Sequence, residues 1–390
     1  MRRRHFIQKT SRAGIGMAMF PYINTNAYRL FADNDTKYSD RAIRIVAEAL
    51  VIDMLSPLGD DIHKREGMSV GQLWLSRPGR FTKQDYQWCR DSGINVFGLG
   101  WAGRDHEAVT EYLARWNGCI ASNSQYLERI DSVSKLNSIS ASKKIGILLT
   151  LQNSNHFREL KDVDLFYQLG QRVSQLTYNE RNRLGCGAFV DVDEGLTEFG
   201  AAVVGRMNTI GMGVDVSHCG DKTTLDAASI SQKPVLITHA ACRSLNPGYS
   251  RAKTDEAIKK VASTGGMIGI PMLRFMVRDR EPVTIEHFLD HIDYAVKLVG
   301  LEKVGIGSDQ GLVTEDHLPV EVRGKRLETA HPKYRCHTNE KFLIGIEDLN
   351  HSKRTFDVTE GLIRRKYSDE EIKMVLGKNF KRVLQKIFMD

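Results

Sequence analysis

Short apolar segments recur along the chain, and each is followed by a stretch with the apolar spacing of an amphipathic helix. Eight of these segments are rich in Val, Ile and Leu and are bounded by Gly or polar residues, which is typical of strands buried on both faces. They are ALVIDML (49–55), GINVFGLG (93–100), KIGILLTLQ (144–152), VSQLTY (173–178), GMGVDVSH (211–218), PVLITH (234–239), GMIGIP (266–271) and KVGIGSD (303–309). This alternation predicts an α/β fold with parallel strands.

The segments between the predicted strands carry residues that start and stop helices. Thr197 and Thr254 stand at helix starts, Gly211 follows a helix end, and Ser368 with Glu371 forms a capping box. The predicted helices are 196–210, 254–266, 284–300 and 368–388.

Eight strand–helix units favour a closed (β/α)8 barrel of the TIM type over residues 36–390. An open, doubly wound sheet is the alternative, although the chain has no glycine-rich phosphate loop to accompany it. Two inserts stand out, 101–143 and 310–357. The second is polar and basic and contains His331, His337 and His351, so it could form a lid.

Composition excludes few classes. Of the 390 residues, 41% are hydrophobic and 26% are charged, as in an ordinary globular protein. The net charge of +7 is spread without a basic stripe, so nucleic-acid binding is not expected. The six cysteines show no paired spacing, and any disulfide pairing is left open. Soft metal ligation by Cys219 or Cys242 is less favoured than buried packing.

The amino-terminal residues resemble an export signal. Arg3 and Arg4 precede His5, Phe6 and Ile7, which is the twin-arginine pattern, and a weakly apolar segment follows. No stretch reaches the roughly 18 apolar residues of a membrane span. We expect residues 1–35 to be a twin-arginine signal and tail, and the protein to be exported to the periplasm; a basic disordered tail is the alternative.

Candidate chemistry lies at the ends of the predicted strands, where (β/α)8 enzymes keep their active sites. His218, His239 and Asp309 end strands five, six and eight. Imidazole and carboxylate are the usual protein ligands of a catalytic zinc ion, so these three residues predict a metal site. Asp53, Gln152 and Tyr178 end strands one, three and four.

Several blocks of the sequence resemble the membrane (renal) dipeptidase family of zinc metallopeptidases. They are EGLTEFGAAVVGRMNTIGMGVDVSHCGDKTTLDA, PVLITHAACRSLNPGYSRAKTDEAIKKVASTGGMIGI, TIEHFLDHIDYAVKLVGLEKVGIGSD and YSDEEIKMVLGKNFKRVL. The resemblance covers roughly residues 45–390 and implies the same barrel fold as the strand pattern. It also implies a two-zinc site in which a water between the metals attacks a peptide carbonyl.

The family's functional residues match this chain in part. The resemblance implies that His218 and His239 are metal ligands, that Arg251 binds substrate and that Asp309 handles protons. Asp53 matches the first acid of the strand-one motif Asp-x-His-x-Asp. The His and the second Asp of this motif, which are the metal ligands in the family, are replaced in this chain by Leu55 and Pro57.

Two further positions depart from the family. Gln152 stands where the bridging Glu belongs, and Tyr178 stands where a substrate-binding His belongs. Three of the five metal ligands are therefore missing, and at most one well-held zinc ion is expected, with none as the other option. A loop residue could restore a ligand, and Asp60, Asp61, His63 and His156 are the candidates.

We therefore predict a dipeptidase-like metallohydrolase with an altered one-metal site. His218, His239 and Asp309 would hold the metal, Asp309 and Tyr178 would serve catalysis, and substrate would contact Arg251, Tyr178 and Gln152. The expected partner is a dipeptide or a similar small amide. The alternatives are a non-catalytic protein that binds peptides or cell-wall fragments, and a one-metal hydrolase of another small amide or a lactone. The sequence does not determine oligomeric state; a homodimer is one option.

Overall fold

Each of the eight segments that the sequence predicts as strands contains a parallel strand, and only the first strand extends beyond its segment, by one residue. The computed structural model describes residues 37–389 except 59–63, 66–67, 104, 279 and 313–343. The strands are Ile52–Ser56 (β1), Val96–Leu99 (β2), Ile145–Leu148 continued by Thr150–Leu151 (β3), Val173–Gln175 (β4), Gly213–Asp215 (β5), Val235–Ile237 (β6), Met267–Ile270 (β7) and Val304–Ile306 (β8).

The strands neighbour one another in chain order. β1, β2 and the first part of β3 form one parallel sheet, and the second part of β3 begins another that runs through to β8. The last strand also meets the first. The backbone N–H of Asp309 donates to the carbonyl of Leu55 at 3.0 Å, and this bond joins the chain after β8 to β1 at the seam between the two strands. This order has no reversal, so it is the predicted (β/α)8 arrangement and not a doubly wound sheet.

Helices follow the strands. Among the described residues they are Asp40–Glu48, Val70–Ser76, Lys83–Asp91, His106–Ser122, Val133–Ser142, Leu160–Gln168, Glu198–Ile210, Asp221–Ile230, Asp255–Ser263, Arg274–Val277, Ile285–Val299, Arg354–Arg364, Asp369–Lys373 and Asn379–Ile387. The predicted caps form: Thr197 accepts a hydrogen bond from the N–H of Gly200, and Thr254 from that of Ala257. Gly211 ends its helix at φ 80°.

One predicted helix is broken. The capping box of Ser368 and Glu371 is present, but residues 368–388 form the helix Asp369–Lys373, a π-helical turn Met374–Lys378 and the helix Asn379–Ile387. Gly377 lies in the turn, and a Cβ there would overlap the carbonyl oxygen of Leu50. The close approach of this turn to the start of β1 explains why the helix does not continue.

The first predicted insert has its own structure, whereas part of the second lies outside the described residues. Residues 101–143 contain the helices His106–Ser122 and Val133–Ser142 and a strand, Leu127–Arg129, that pairs with the first part of β3. In the second insert residues 313–343 are not described, and these include His331 and His337. The predicted export segment also lies outside the described residues. None of the described helices is long and apolar enough to cross a membrane.

The core has two layers. One fills the space between strands and outer helices. The other lies inside the ring of strands, where Ile52, Met54, Val96 and Leu236 pack with the last helix, Asn379–Ile387. Because that helix contacts the residues that begin β1, it covers the amino-terminal end of the barrel. The carboxyl ends of the strands lie at the opposite end.

Gly269 tests how tightly the barrel interior is packed. A Cβ at this position would overlap the carbonyl oxygen of Thr238 and would lie 3.0 Å from the sulfur of Met54. We expect Gly269→Ala to lower the free energy of unfolding by about 1–3 kcal/mol, as overpacked cores do, in urea titrations. Gly205→Ala is the control, because nothing lies near its added Cβ, and alanine should stabilise that helix by up to about 1 kcal/mol. Equal effects of the two substitutions would contradict the packing described.

Candidate active site at the carboxyl ends of the strands

Two histidines from neighbouring strands face each other at this end of the barrel. The Nε2 atoms of His218, after β5, and His239, after β6, lie 2.9 Å apart, and both rings are buried. The Nδ1 atom of His218 lies 2.6 Å from Oδ1 of Asn179. The Nδ1 atom of His239 lies 3.0 Å from the hydroxyl of Thr238. The structure thus brings together two of the three predicted metal ligands.

These Nδ1 contacts decide which ring nitrogens carry protons. An asparagine Oδ1 can only accept, so the Nδ1–H of His218 donates to Asn179. The hydroxyl of Thr238 donates to Oδ2 of Asp215 at 2.6 Å, so its oxygen accepts from the Nδ1–H of His239. Both Nε2 atoms are therefore left with lone pairs, and two lone pairs at 2.9 Å repel unless a cation lies between them.

The protonation state of the pair agrees with metal ligation. Burial, and then the positive charge of Arg251, hold the pKa of both imidazoles well below the usual value. Neutral imidazole is the form that binds a metal. Histidine ligands in proteins usually donate their second N–H to an acceptor that fixes the ring, as Asn179 and Thr238 accept here.

Arg251 lies beside this pair with much of its hydrogen-bonding capacity unused. The side chain is 1% exposed. Its NH2 group donates to the backbone carbonyl of His239 at 2.8 Å, whereas Nε and NH1 have no partner among the described residues. A buried guanidinium with unpaired N–H groups is costly, and a carboxylate could accept a charge-assisted hydrogen bond from Nε or from NH1.

Asp309 stands after β8 in the left-handed backbone region, at φ 56°. Removal from water raises the pKa of its carboxyl to about 7; Arg251 opposes the rise and Asp53 adds to it. No group of three or more His, Cys, Asp or Glu among the described residues is arranged to hold a metal ion. The structure therefore does not assemble Asp309 with the two histidines as a ligand set, and its role as third ligand stays a prediction.

Tyr178 and Gln152 occupy different surroundings. The ring of Tyr178 stacks on that of His218, with centroids 4.2 Å apart at an angle of 19°. Gln152 follows β3 and is 8% exposed. Its backbone carbonyl accepts a hydrogen bond from Nε2 of Gln175 at 2.5 Å. Tyr178 is thus adjacent to the histidine pair. Both residues remain predicted substrate contacts.

The carboxylate of Asp53, on β1, is engaged by side-chain and backbone groups of the protein itself. Its carboxylate accepts from the N–H and the hydroxyl of Ser308, at 2.8 and 2.5 Å, and lies 3.5 Å from Arg354. Burial raises its pKa, and the charge of Arg354 opposes that rise. Leu55 is buried, at the position where the resemblance implies a histidine. Arg354 was missed by the sequence analysis, because its partner lies 301 positions away and no local pattern marks it.

Of the candidates for a restored ligand, His156 lies within the part of the chain that the structure describes. Asp60, Asp61 and His63 lie outside the described residues. His156 is buried elsewhere: its Nε2 lies 3.1 Å from Oε1 of Gln171, and its ring packs against Phe157 and Phe166. Cys219 accepts a hydrogen bond from the Thr177 hydroxyl at 3.3 Å, which favours the packing interpretation of this thiol.

Comparison with known proteins agrees with this fold and site. Residues 63–316 match the family described as membrane dipeptidase, peptidase family M19. This match covers more than half of the chain, so the protein belongs to the membrane dipeptidase family, as the sequence resemblance predicted.

The individual relatives share between 24% and 30% of the aligned residues with this chain. The chain is 24% identical over 269 residues to dipeptidase tcpJ of Claviceps purpurea, covering 67% of this chain and 56% of that protein. It is 30% identical over 226 residues to dipeptidase verJ of Clonostachys rogersoniana, covering 57% and 50%. The chain thus spans about half the length of these relatives. A solved amidohydrolase of Pseudomonas aeruginosa is 26% identical with a TM-score of 0.73, covering 89% of this chain and 99% of that one.

Two of the residues at the site have the chemistry and the orientation of metal ligands. Two bare Nε2 atoms converge at one point, and each ring is oriented through its other nitrogen. Leu55, Pro57 and Gln152 stand where the resemblance implies the ligands of a second metal ion. The side chains of Leu55 and Pro57 cannot ligate a metal, and the neutral amide of Gln152 has no charge to offset two dications. His218 and His239 are the residues that would hold an ion.

The raised pKa of Asp309 predicts a pH-dependent stability. The native carboxyl keeps its proton up to about pH 7, whereas the unfolded one ionises near pH 4. The wild-type protein should therefore lose stability over this interval as pH rises, and Asp309→Asn should not. We expect the variant to gain relative stability between about pH 4.5 and about pH 7.5 in urea titrations of chelator-treated protein. If the difference in free energy of unfolding between the variant and the wild type did not change with pH, the raised pKa of Asp309 would be contradicted.

Proposed function

We propose that this protein hydrolyses the amide bond of a dipeptide or a similar small amide, using one metal ion held by His218 and His239. The observation that carries the proposal is the pair of facing, unprotonated Nε2 atoms beside a buried arginine with unpaired N–H groups. Family membership and relatives named as dipeptidases support it.

Arg251 would orient the substrate. A dipeptide ends in a carboxylate, and the Nε–H and NH1 of Arg251 are donors that lack partners among the described residues. Since NH2 is already held by the carbonyl of His239, a carboxylate bound to the guanidinium would lie close to the histidine pair. The scissile amide, a few atoms away, would then lie near these imidazoles.

Asp309 and Tyr178 would act on the amide. A carboxyl with a pKa of about 7 can both accept and donate a proton at neutral pH, so Asp309 is suited to take a proton from water and return it to the leaving amine. The phenol of Tyr178, stacked on His218, can donate to the developing oxyanion. When bound, a zinc ion would supply a water of lowered pKa and polarise the amide carbonyl.

Metal content tests the one-ion site. We expect about one zinc per chain in purified protein, with loss of both zinc and dipeptide turnover in His239→Ala, because that variant lacks one of two protein ligands. His106→Ala is the control, since that imidazole contacts Arg158 and the backbone of His156 instead. Elemental analysis that finds two zinc ions per chain would refute the one-ion site.

Replacing Arg251 tests substrate orientation. Arg251→Met should lower kcat/KM for a dipeptide about 10-fold to 100-fold, the value of one charge-assisted hydrogen-bonded pair. The matched substrate is the same dipeptide with an amidated carboxyl end. It lacks the negative charge, so the substitution should lower its kcat/KM much less. An equal loss for both substrates would assign Arg251 a purely structural role.

A second function is favoured by one observation, the replacement of family ligands by Leu55, Pro57 and Gln152. In that case the pocket would bind peptides or cell-wall fragments through Arg251 without cutting them. Calorimetry would distinguish the two: dipeptide binding that is insensitive to chelators, together with no turnover after zinc addition, supports the binding protein.

We also propose export through the twin-arginine route to the periplasm. The support is the motif Arg3-Arg4-His5-Phe6-Ile7 and the weakly apolar segment after it. Because this route carries folded proteins, an ion bound before export would be compatible with it.

A further inference from the structure

A buried carboxylate lies one hydroxyl group away from the histidine pair. Asp215 ends β5 and is 2% exposed. Its Oδ1 accepts hydrogen bonds from the N–H and the hydroxyl of Ser217, at 2.9 and 2.5 Å, and from the N–H of Thr238 at 3.2 Å. Its Oδ2 accepts from the hydroxyl of Thr238 at 2.6 Å. All four donors are neutral, so these contacts bring no counter-ion to the carboxylate.

These four contacts favour the ionised form of Asp215. The two backbone N–H groups can only donate, and the two hydroxyls complete a set of hydrogen bonds that an ionised carboxylate can accept. Burial raises the pKa of this carboxyl, and the hydrogen bonds from Ser217 and Thr238 oppose that rise. A buried negative charge is costly unless a positive charge lies near it. An ion held by the histidine pair would be such a charge.

Thr238 links this carboxylate to one ring nitrogen of His239. The hydroxyl of Thr238 has a single hydrogen, which is donated to Oδ2 of Asp215, so its oxygen accepts from the Nδ1–H of His239 at 3.0 Å. A neutral imidazole carries one ring hydrogen, and a proton on Nδ1 therefore leaves Nε2 bare. The charge of Asp215 thus sets the direction of both hydrogen bonds, and with it the nitrogen of His239 that is free to bind a metal.

An amide in place of this carboxylate would reverse the chain of hydrogen bonds. Asp215→Asn keeps an oxygen for Ser217 but presents an N–H to the hydroxyl oxygen of Thr238. The hydrogen of that hydroxyl would then turn to Nδ1 of His239, and the ring proton would move to Nε2. This Nε2–H could donate to Nε2 of His218, which lies 2.9 Å away. A hydrogen bond would then close the space between the two nitrogens that would otherwise hold an ion.

We propose that Asp215 is a positioning residue for the metal site. Through the hydroxyl of Thr238 it holds His239 in the tautomer whose Nε2 can bind an ion, and it supplies a buried negative charge that offsets the charge of that ion. The tautomer part stands on the hydrogen bonds alone, whereas the effect on metal binding rests on the proposed function.

The tautomer part is tested by NMR on metal-free, full-length protein that is isotopically labelled on histidine nitrogen. The ring signals of His239 are assigned by their absence from His239→Ala. We expect the Nδ1–H tautomer in the wild type and the Nε2–H tautomer in Asp215→Asn. Thr238→Val removes the acceptor of the Nδ1–H and should also give the Nε2–H tautomer, whereas Thr238→Ser keeps the hydroxyl and should keep the wild-type tautomer. An unchanged tautomer in both Asp215→Asn and Thr238→Val would overturn the proposal.

Metal binding is measured as the dissociation constant for zinc alone, in competition with a chromophoric chelator. We expect Asp215→Asn and Thr238→Val to weaken zinc binding about 10-fold to 100-fold, the usual effect of removing a group that orients a histidine ligand. Thr238→Ser should remain within about threefold of the wild type, because the hydroxyl that orients the ring is kept.

Thr150→Val is the matched control. Thr150 is also buried on a strand of the barrel, but its hydroxyl has no partner among the described residues, so this variant should bind zinc like the wild type. Wild-type zinc affinity in Asp215→Asn, or an equal loss in Thr150→Val, would overturn the positioning role and leave the proposed function in place. Wild-type protein that holds the Nδ1–H tautomer but binds no zinc would instead refute the proposed one-metal function and leave the tautomer part standing.

Discussion

One buried carboxylate holds the first and last strands of the barrel together. Asp53, on β1, accepts hydrogen bonds from the backbone and the hydroxyl of Ser308 after β8, and Arg354 neutralises its charge. Arg354 in turn donates to the carbonyls of Gly311, Leu312 and Gln310. The segment after β8 is therefore anchored between Asp53 and a cation, and Asp309 projects from that anchored segment. These contacts, with the bond from the N–H of Asp309 to the carbonyl of Leu55, close the seam between β1 and β8.

The chemistry of the strand ends is divided between the two sides of the barrel. The side of β5 and β6 keeps polar, oriented groups: two imidazoles with fixed tautomers and an arginine with unused donors. The side of β1 and β2 presents Leu55, Pro57 and a cavity lined by Trp101, Tyr112 and Trp116. The surface on this second side is therefore uncharged, and an uncharged aromatic wall does not favour an ion with its water shell.

Much of the fold could be predicted because buried parallel strands have a strong local pattern. All eight strands and the caps at Thr197, Thr254 and Ser368 follow from residues within a few positions of each other. His218, His239 and Asp309 were identifiable as residues at strand ends. Their distances, the tautomers set by Asn179 and Thr238, and the unpaired donors of Arg251 were not, since they depend on contacts between separate strands. Arg354 and the break at Gly377 depend on contacts distant in sequence, and no local pattern contains them.

The position of the last helix has a consequence for the order in which the chain can fold. Asn379–Ile387 supplies Phe380, Val383, Leu384 and Ile387 to the same cluster as the interior residues of β1, β2 and β6. These residues follow all eight strands in the sequence, and the seam between β1 and β8 also joins residues far apart in sequence. The barrel interior therefore cannot be sealed until the helix Asn379–Ile387 has been synthesised. A ring of strands without this helix would leave its apolar interior open to water.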